Sequence, residues 1–362
     1  MRNPLPRPPD PDNKIAAVLP NFGVGDSFNH IGMVRYLATK YEKVYFFAWE
    51  SHNPHAASWF EGEKNIEVLL CPRGEQKLAA WGGAGAWDVK NHEVAKNIIN
   101  CDWHLTASHV LYEFPISPNF GKLHDSSRLI FGSVSQMEIP LSNYDAVGVP
   151  RSAFWDYALV RDTEVSENLF KKAVDVSEDY VFLHNSYGIY GGNNCMEESF
   201  INDFIQEDKN KVLFIDPNFN HYEPSHKWHN VASQFINVPN VLSYKKLMLN
   251  AKKILVLDSA FLCMGYQLEP KTDDCYYMCR PHFLGHSWDF VYESYMKDSS
   301  KKRKVKQFKK MDCDLYQKMP CPMCGAPMSK SRGPLSPEAV EKYNSEFNKH
   351  LQTDSDCCNT PN

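Results

Sequence analysis

The chain has 362 residues, room for two domains of ordinary size, and its 43% hydrophobic and 13% aromatic content supplies apolar surface for substantial cores. No apolar run reaches the roughly 18 residues that a membrane-spanning helix needs, so no transmembrane segment is expected. The formal net charge of −5 is unremarkable but hides an asymmetry: residues 299–310, SSKKRKVKQFKK, carry seven basic residues and no acid.

The first residues, MRNPLPRPPDPDNK, are proline-rich and lack the apolar core of a signal peptide, so residues 1–13 read as a disordered or extended leader. A cytoplasmic protein is expected, with most of its eleven cysteines reduced and buried. Residues 14–19, KIAAVL, suit a buried parallel strand. A glycine-bearing turn, PNFGVGDSFNH, comes next, and then helical spacing from Ile31 to Tyr41. Val44–Trp49 and Ile66–Leu70 read as strands. Residues 74–86 read as a loop or poorly defined helix, Asn91–Ile99 as a helix and Trp103–Ala107 as a strand. From Phe114 to Pro150 the signal is broken by proline, serine and asparagine.

The second half repeats the alternation. Glu167–Val176 is helical, Tyr180–Ser186 a strand with a polar end, Val212–Asp216 a strand, and the stretch around His226–Phe235 a helix. Next come a helix from Leu242, the strand Ile254–Leu257, an apolar helix opened by Asp258-Ser259-Ala260, the strand Cys275–Cys279, and a closing helix over Trp288–Met296. Strands alternating with helices imply βαβ units and parallel sheets. The expected fold class is therefore α/β: a first domain over 14–160, a second over 178–297, and an irregular basic and cysteine-bearing tail over 298–362.

Chemistry concentrates where strands give way to helices. A helix that starts at the carboxyl end of a parallel strand points free N–H groups into the ligand crevice and favours phosphate. Asp258, Ser259 and Ala260 have that setting, which makes a nucleotide or nucleotide sugar the first ligand class. His184, Asn185 and Ser186 end a strand and either face the crevice or make a turn. Asn218, in Pro217-Asn218-Phe219-Asn220, has a similar setting. His221, Glu223 and His226 come next without the spacing of a known metal helix, so a surface loop or substrate contact is favoured. Tyr244 and Lys245 open a helix where a base could stack. Lys271 either pairs with phosphate or is a solvated lysine.

In the first half, Gly23-Val24-Gly25-Asp26 comes after the first strand, but Phe28 stands where a dinucleotide fingerprint has its third glycine, which disfavours NAD. Asp26 is either a general base or a helix cap. His124-Asp125-Ser126-Ser127-Arg128 is a polar cluster that binds an acceptor or caps a helix. In the tail, Cys321 and Cys324 have zinc-knuckle spacing, but a structural zinc needs two further ligands that no second knuckle supplies. The run Lys301–Lys306 resembles a nuclear-import signal and reads first as a solvated basic linker.

Several of these segments together resemble a group of GT-B glycosyltransferases found in bacterial surface-polysaccharide clusters and large DNA viruses. They are Ser142–Asp145 with Pro150-Arg151, Phe154-Trp155, Tyr180–Asn185, Pro217-Asn218, His226, Leu242–Lys245, and Asp258–Phe261 with Cys275–Tyr277. The start Gly25-Asp26, with an amphipathic helix after it, is similar to heptosyltransferase-like enzymes. The resemblance spans about residues 14–297. It implies two Rossmann-like domains facing across a cleft, and transfer of a sugar from a nucleotide-sugar donor, UDP- or GDP-linked, to a glycan hydroxyl. It implies that Ser259, Ala260 and Phe261 meet the diphosphate, that His184, Asn185 and Ser186 border the sugar or phosphate, and that Tyr244 lies near the base. Asp26 matches the proposed general base, and acceptor contacts are assigned to Gly25, Asn29, His124 and Asp125. Inverting chemistry with no cofactor or bound metal is expected, since no Asp-x-Asp motif is evident. Two rivals are a sugar-nucleotide epimerase of the same fold and a nucleic-acid-binding protein using the tail. Crowding of basic residues into one linker argues against the second.

Overall fold

A computed structural model describes residues 14–20, 24–50, 53–71, 102–105, 140–146, 148–158, 161–187, 191–194, 201–202, 205–278, 288–298 and 304–311. They fall into two compact units that divide after Ala158. Residues 74–86 and 91–99, His124 and Asp125, and the Cys321–Cys324 knuckle lie outside the described residues.

The first unit is built on β1 (Ile15–Leu19), β2 (Lys43–Trp49), β3 (Ile66–Cys71) and β4 (Asp102–Leu105). All pair in parallel in the order β3-β2-β1-β4. Ala16, Ala17 and Val18 of β1 are fully buried, as expected of a central strand covered on both faces. The chain moves outward from β1 through β2 to β3 and returns to the other side of β1 with β4. The ends of β1 and β4 therefore form a topological switch point.

The segment after β1 differs from the expected glycine turn. Val24–Asn29 is already a short helix, α1, and Ile31–Ala38 is α2, which stops short of Tyr41. Gly25 is tolerated inside α1 because Phe28 and the α2 residues Ile31, Met33, Val34 and Leu37 are buried and anchor the pair. Two further helices are α3 (Leu141–Ala146) and α4 (Ala153–Asp156). α2 meets α4 at a glycine: a Cβ on Gly32 would stand 2.2 Å from the Ala153 carbonyl oxygen. Tyr144 Oη ties these helices together, donating to the Asn29 carbonyl at 2.7 Å and accepting the Met33 N–H at 3.0 Å.

The second unit opens with α5 (Glu164–Val174), capped by Thr163, whose hydroxyl accepts the Ser166 N–H at 3.1 Å. Its sheet contains β5 (Tyr180–His184), β8 (Leu213–Ile215), β9 (Lys253–Leu257), β10 (Cys275–Met278) and β11 (Lys309–Lys310), all parallel, in the order β11-β10-β9-β5-β8. A separate antiparallel ribbon pairs β6 (Ser186–Tyr187) with β7 (Gly191–Asn194). The helices are α6 (His229–Ser233), α7 (Lys245–Asn250), α8 (Ala260–Gln267) and α9 (Asp289–Lys297). Here the chain steps from β5 to β8 and then crosses to β9 on the other flank of β5. The second switch point lies between β5 and β9.

Elements outside residues 178–297 also pack in this unit. α5 is tied to α7, with the Lys246 N–H donating to Ser166 Oγ at 3.0 Å and Lys246 Nζ to Glu167. The end of the basic run adds β11 to the sheet, and Val305, Phe308 and Met311 are buried. Residues 304–311 are therefore part of the fold rather than a solvated linker. Lys306 pairs with Asp273 at 2.6 Å, and Lys309 lies 5.2 Å over the Tyr276 ring. Among the described residues, no helix is long and apolar enough to cross a membrane.

Candidate functional site

The second switch point brings together His184, Asn185, Asp258 and Ser259, four of the polar residues that the sequence singled out. β5 ends at His184, with Asn185 next, and β9 ends at Leu257 before the turn Asp258-Ser259. Register places His184 opposite Val256, so the two strand ends are level. Ser259 is extended at φ −152°, the non-helical setting of an N-cap, and its Oγ accepts the Phe261 N–H at 3.3 Å. The same hydroxyl lies 3.1 Å from His184 Nδ1. One oxygen thus links the end of β5 to the start of α8.

Burial sharpens this pairing. His184 and Ser259 are 6% and 9% exposed, Asn185 is 1% exposed and Asp258 is 7% exposed. The His184 ring packs 4.6 Å from Phe261, which also meets Phe182 and Tyr244. Asp258 Oδ1 accepts Trp288 Nε1–H at 2.9 Å, and the Asp258 N–H donates to the Met278 carbonyl. A buried polar group without a partner is costly, and here the partners come from β5, β10 and the start of α9.

Other residues singled out by sequence fare differently. Ser186 begins β6, directly after Asn185. Asn218 is exposed, and its N–H donates to Asp216 Oδ1 at 2.8 Å in the turn after β8. Ala260 is the half-buried first residue of α8. Tyr244 is part of the packed interior. It is 3% exposed, its hydroxyl donates to the Phe235 carbonyl at 2.7 Å and accepts the Val238 N–H at 2.8 Å, and burial pushes its pKa up. Lys271 lies in the connection before β10. Its N–H bonds to the Leu249 carbonyl and its neighbour Thr272 bonds to Lys252, at the amino end of β9. Ser259 is at the other end, about 16 Å away along a five-residue strand.

In the first unit, Asp26 is half-buried in the first turn of α1, where a carboxylate suits the positive helix end. Its carbonyl accepts from His30 Nδ1 at 2.6 Å. Burial pushes the His30 pKa down to about 4, against a smaller opposing effect of that bond. Asn29 is 4% exposed, with its carbonyl on Tyr144. Asn53 Nδ2 donates to Ser27 Oγ at 3.0 Å, so the polar face of α1 is tied to the connection after β2.

Two features escaped sequence reasoning. Trp288, read only as the start of a helix, holds Asp258; its one signal was a bulky N–H donor at the start of that helix. Asp216 and His221 form a buried pair, Nε2 to Oδ2 at 3.2 Å, at the carboxyl end of β8. Among the described residues, no group of three or more His, Cys, Asp or Glu side chains could hold a metal ion.

No protein-family model matches the chain, and no curated protein matches it. Among solved structures it is similar to a glycosyl transferase family 9 protein from Veillonella parvula DSM 2008, with a TM-score of 0.43 and 9% identity over 80% of this chain and 92% of that one.

Proposed function

We propose that the protein is a glycosyltransferase that moves a sugar from a nucleotide-sugar donor, UDP- or GDP-linked, to a glycan hydroxyl. The observation that carries the reading is the pairing of Ser259 with His184 at the switch point of the second sheet, beneath the start of α8. In open parallel sheets that crevice is where nucleotides bind, and the first N–H groups of the helix suit a diphosphate. Ser259, Ala260 and Phe261 meet the diphosphate, while His184, Asn185 and Ser186 border the sugar or phosphate.

In this reading Asp26 is the general base. It takes the proton from the acceptor hydroxyl as that oxygen bonds to the anomeric carbon. The bond from the anomeric carbon to the donor phosphate breaks, and its electron pair leaves with the nucleoside diphosphate. The helix N–H groups stabilise that charge. Attack from the opposite face inverts the anomeric centre. Gly25 and Asn29 lie on the same short helix as Asp26 and are the proposed acceptor contacts, and surface or capsid glycan synthesis is the proposed setting.

Nucleotide sugars and nucleoside diphosphates added to the full chain should raise its melting temperature, because a ligand that binds only the native state stabilises it by mass action. A panel with no shift at millimolar concentration contradicts the proposal. Asp26→Asn should abolish turnover while leaving the donor-induced shift in place.

A further inference from the structure

The docked end of the basic run touches none of the chemistry above, yet it connects to it through side chains in contact. Phe308 is fully buried, with its ring 5.1 Å from that of Tyr266. Its socket exists because residue 265 is glycine: a Cβ there would stand 2.3 Å from Phe308 Cζ. Tyr266, also fully buried, lies flat on Trp288, with centroids 5.3 Å apart and planes within 15°. Trp288 then donates through Nε1 to Asp258 Oδ1 at 2.9 Å. Its backbone N–H is held by Tyr277 Oη at 3.1 Å. Asp258 immediately precedes the cap Ser259.

We infer that Trp288 is a positioning residue for the Asp258-Ser259 turn, and that the docked strap Lys304–Met311 holds Trp288 in place. Its functional consequence rests on the donor reading proposed above; the positioning itself does not. The physical reason is packing. A buried carboxylate needs its hydrogen-bond donors kept in one orientation. An indole N–H does this without adding charge, provided the ring cannot turn. The ring cannot turn while Tyr266 covers its face, and Tyr266 cannot relax while Phe308 fills the space beside it. Close-packed interiors pass such shifts on instead of absorbing them.

Hydrogen exchange on the ligand-free full chain tests the positioning. The Asp258 and Phe261 amides are direct reporters, since the first bonds Met278 and the second bonds Ser259. Trp288→Phe keeps a ring against Tyr266 and removes the donor; exchange at Asp258–Phe261 should rise about tenfold, the opening expected for loss of one bond to a charged group. Phe308→Leu, mild enough to fold, should speed exchange at the same turn as well as in 304–311. The inference is overturned if both variants keep wild-type exchange at Asp258–Phe261. It is equally overturned if exchange rises uniformly through the second unit in step with a lower melting temperature. UDP and GDP titrations give the functional arm, with Trp288→Phe expected to weaken nucleoside-diphosphate binding about tenfold. A wild-type chain that binds no nucleotide, together with altered exchange at the turn, sinks the donor reading and leaves the positioning role standing.

Discussion

At the scale of single residues, His30 carries the clearest pH signature. It is fully buried beside the carbonyl of Asp26, and burial lowers its pKa from 6.5 to about 4. Above pH ~6.5 neither the folded nor the unfolded chain protonates it, so its contribution to stability is complete there. Between ~6.5 and about 4 the unfolded chain takes up a proton that the folded one refuses. Stability therefore falls by about 1.4 kcal/mol per pH unit in that window. Denaturant melts at pH 7, 6, 5 and 4 should show that slope, and His30→Gln should flatten it. Lys271 makes a contrasting case. It lies at the amino end of β9, so Lys271→Ala should leave nucleotide affinity unchanged in calorimetry, whereas a loss would return it to the phosphate.

The elements show what the sequence revealed and what it concealed. The central strands were legible because KIAAVL, YVFLH and KILVL are continuous apolar runs, the mark of strands buried on both faces. The Ser259 cap was legible because Asp-Ser-Ala divides such a run from an apolar helix. α1 was not, since its two glycine-flanked turns look like a loop and it stays helical through burial of Phe28 and the hydroxyl of Tyr144 on Asn29, more than a hundred residues away. The surroundings of Tyr244 and Lys271 were not legible, for a shared reason. Local sequence marks a turn, but only topology tells which edge of the sheet the turn occupies. β11 was hidden by its lysines: Val305, Phe308 and Met311 point inward at every third position while the intervening cations stay outside. Gly265→Ala should drive Cβ into Phe308 and cost about 1–3 kcal/mol, read as a lower melting temperature. An unchanged melt would mean that the strap does not pack there.

For the molecule as a whole, the two units share one architectural device, a parallel sheet whose strand order reverses beside its central strand. Asp26 follows β1 in the first unit, and His184, Asn185 and Ser259 stand at the reversal in the second. Docking of residues 304–311 also has a consequence. A chain ending at Asp298 loses β11 and three buried apolar side chains and should melt lower, so a truncation at 299 cannot by itself separate a nucleic-acid role of the tail from loss of fold.

The central claim is that a nucleoside diphosphate rests against the start of α8. Ser259→Asp tests it most directly, because aspartate caps a helix about as well as serine while placing a negative charge where the phosphates would lie. Calorimetric titration of UDP and GDP into the wild type and this variant should show saturable binding only in the wild type, at equal melting temperatures. Equal affinity in both proteins would contradict it.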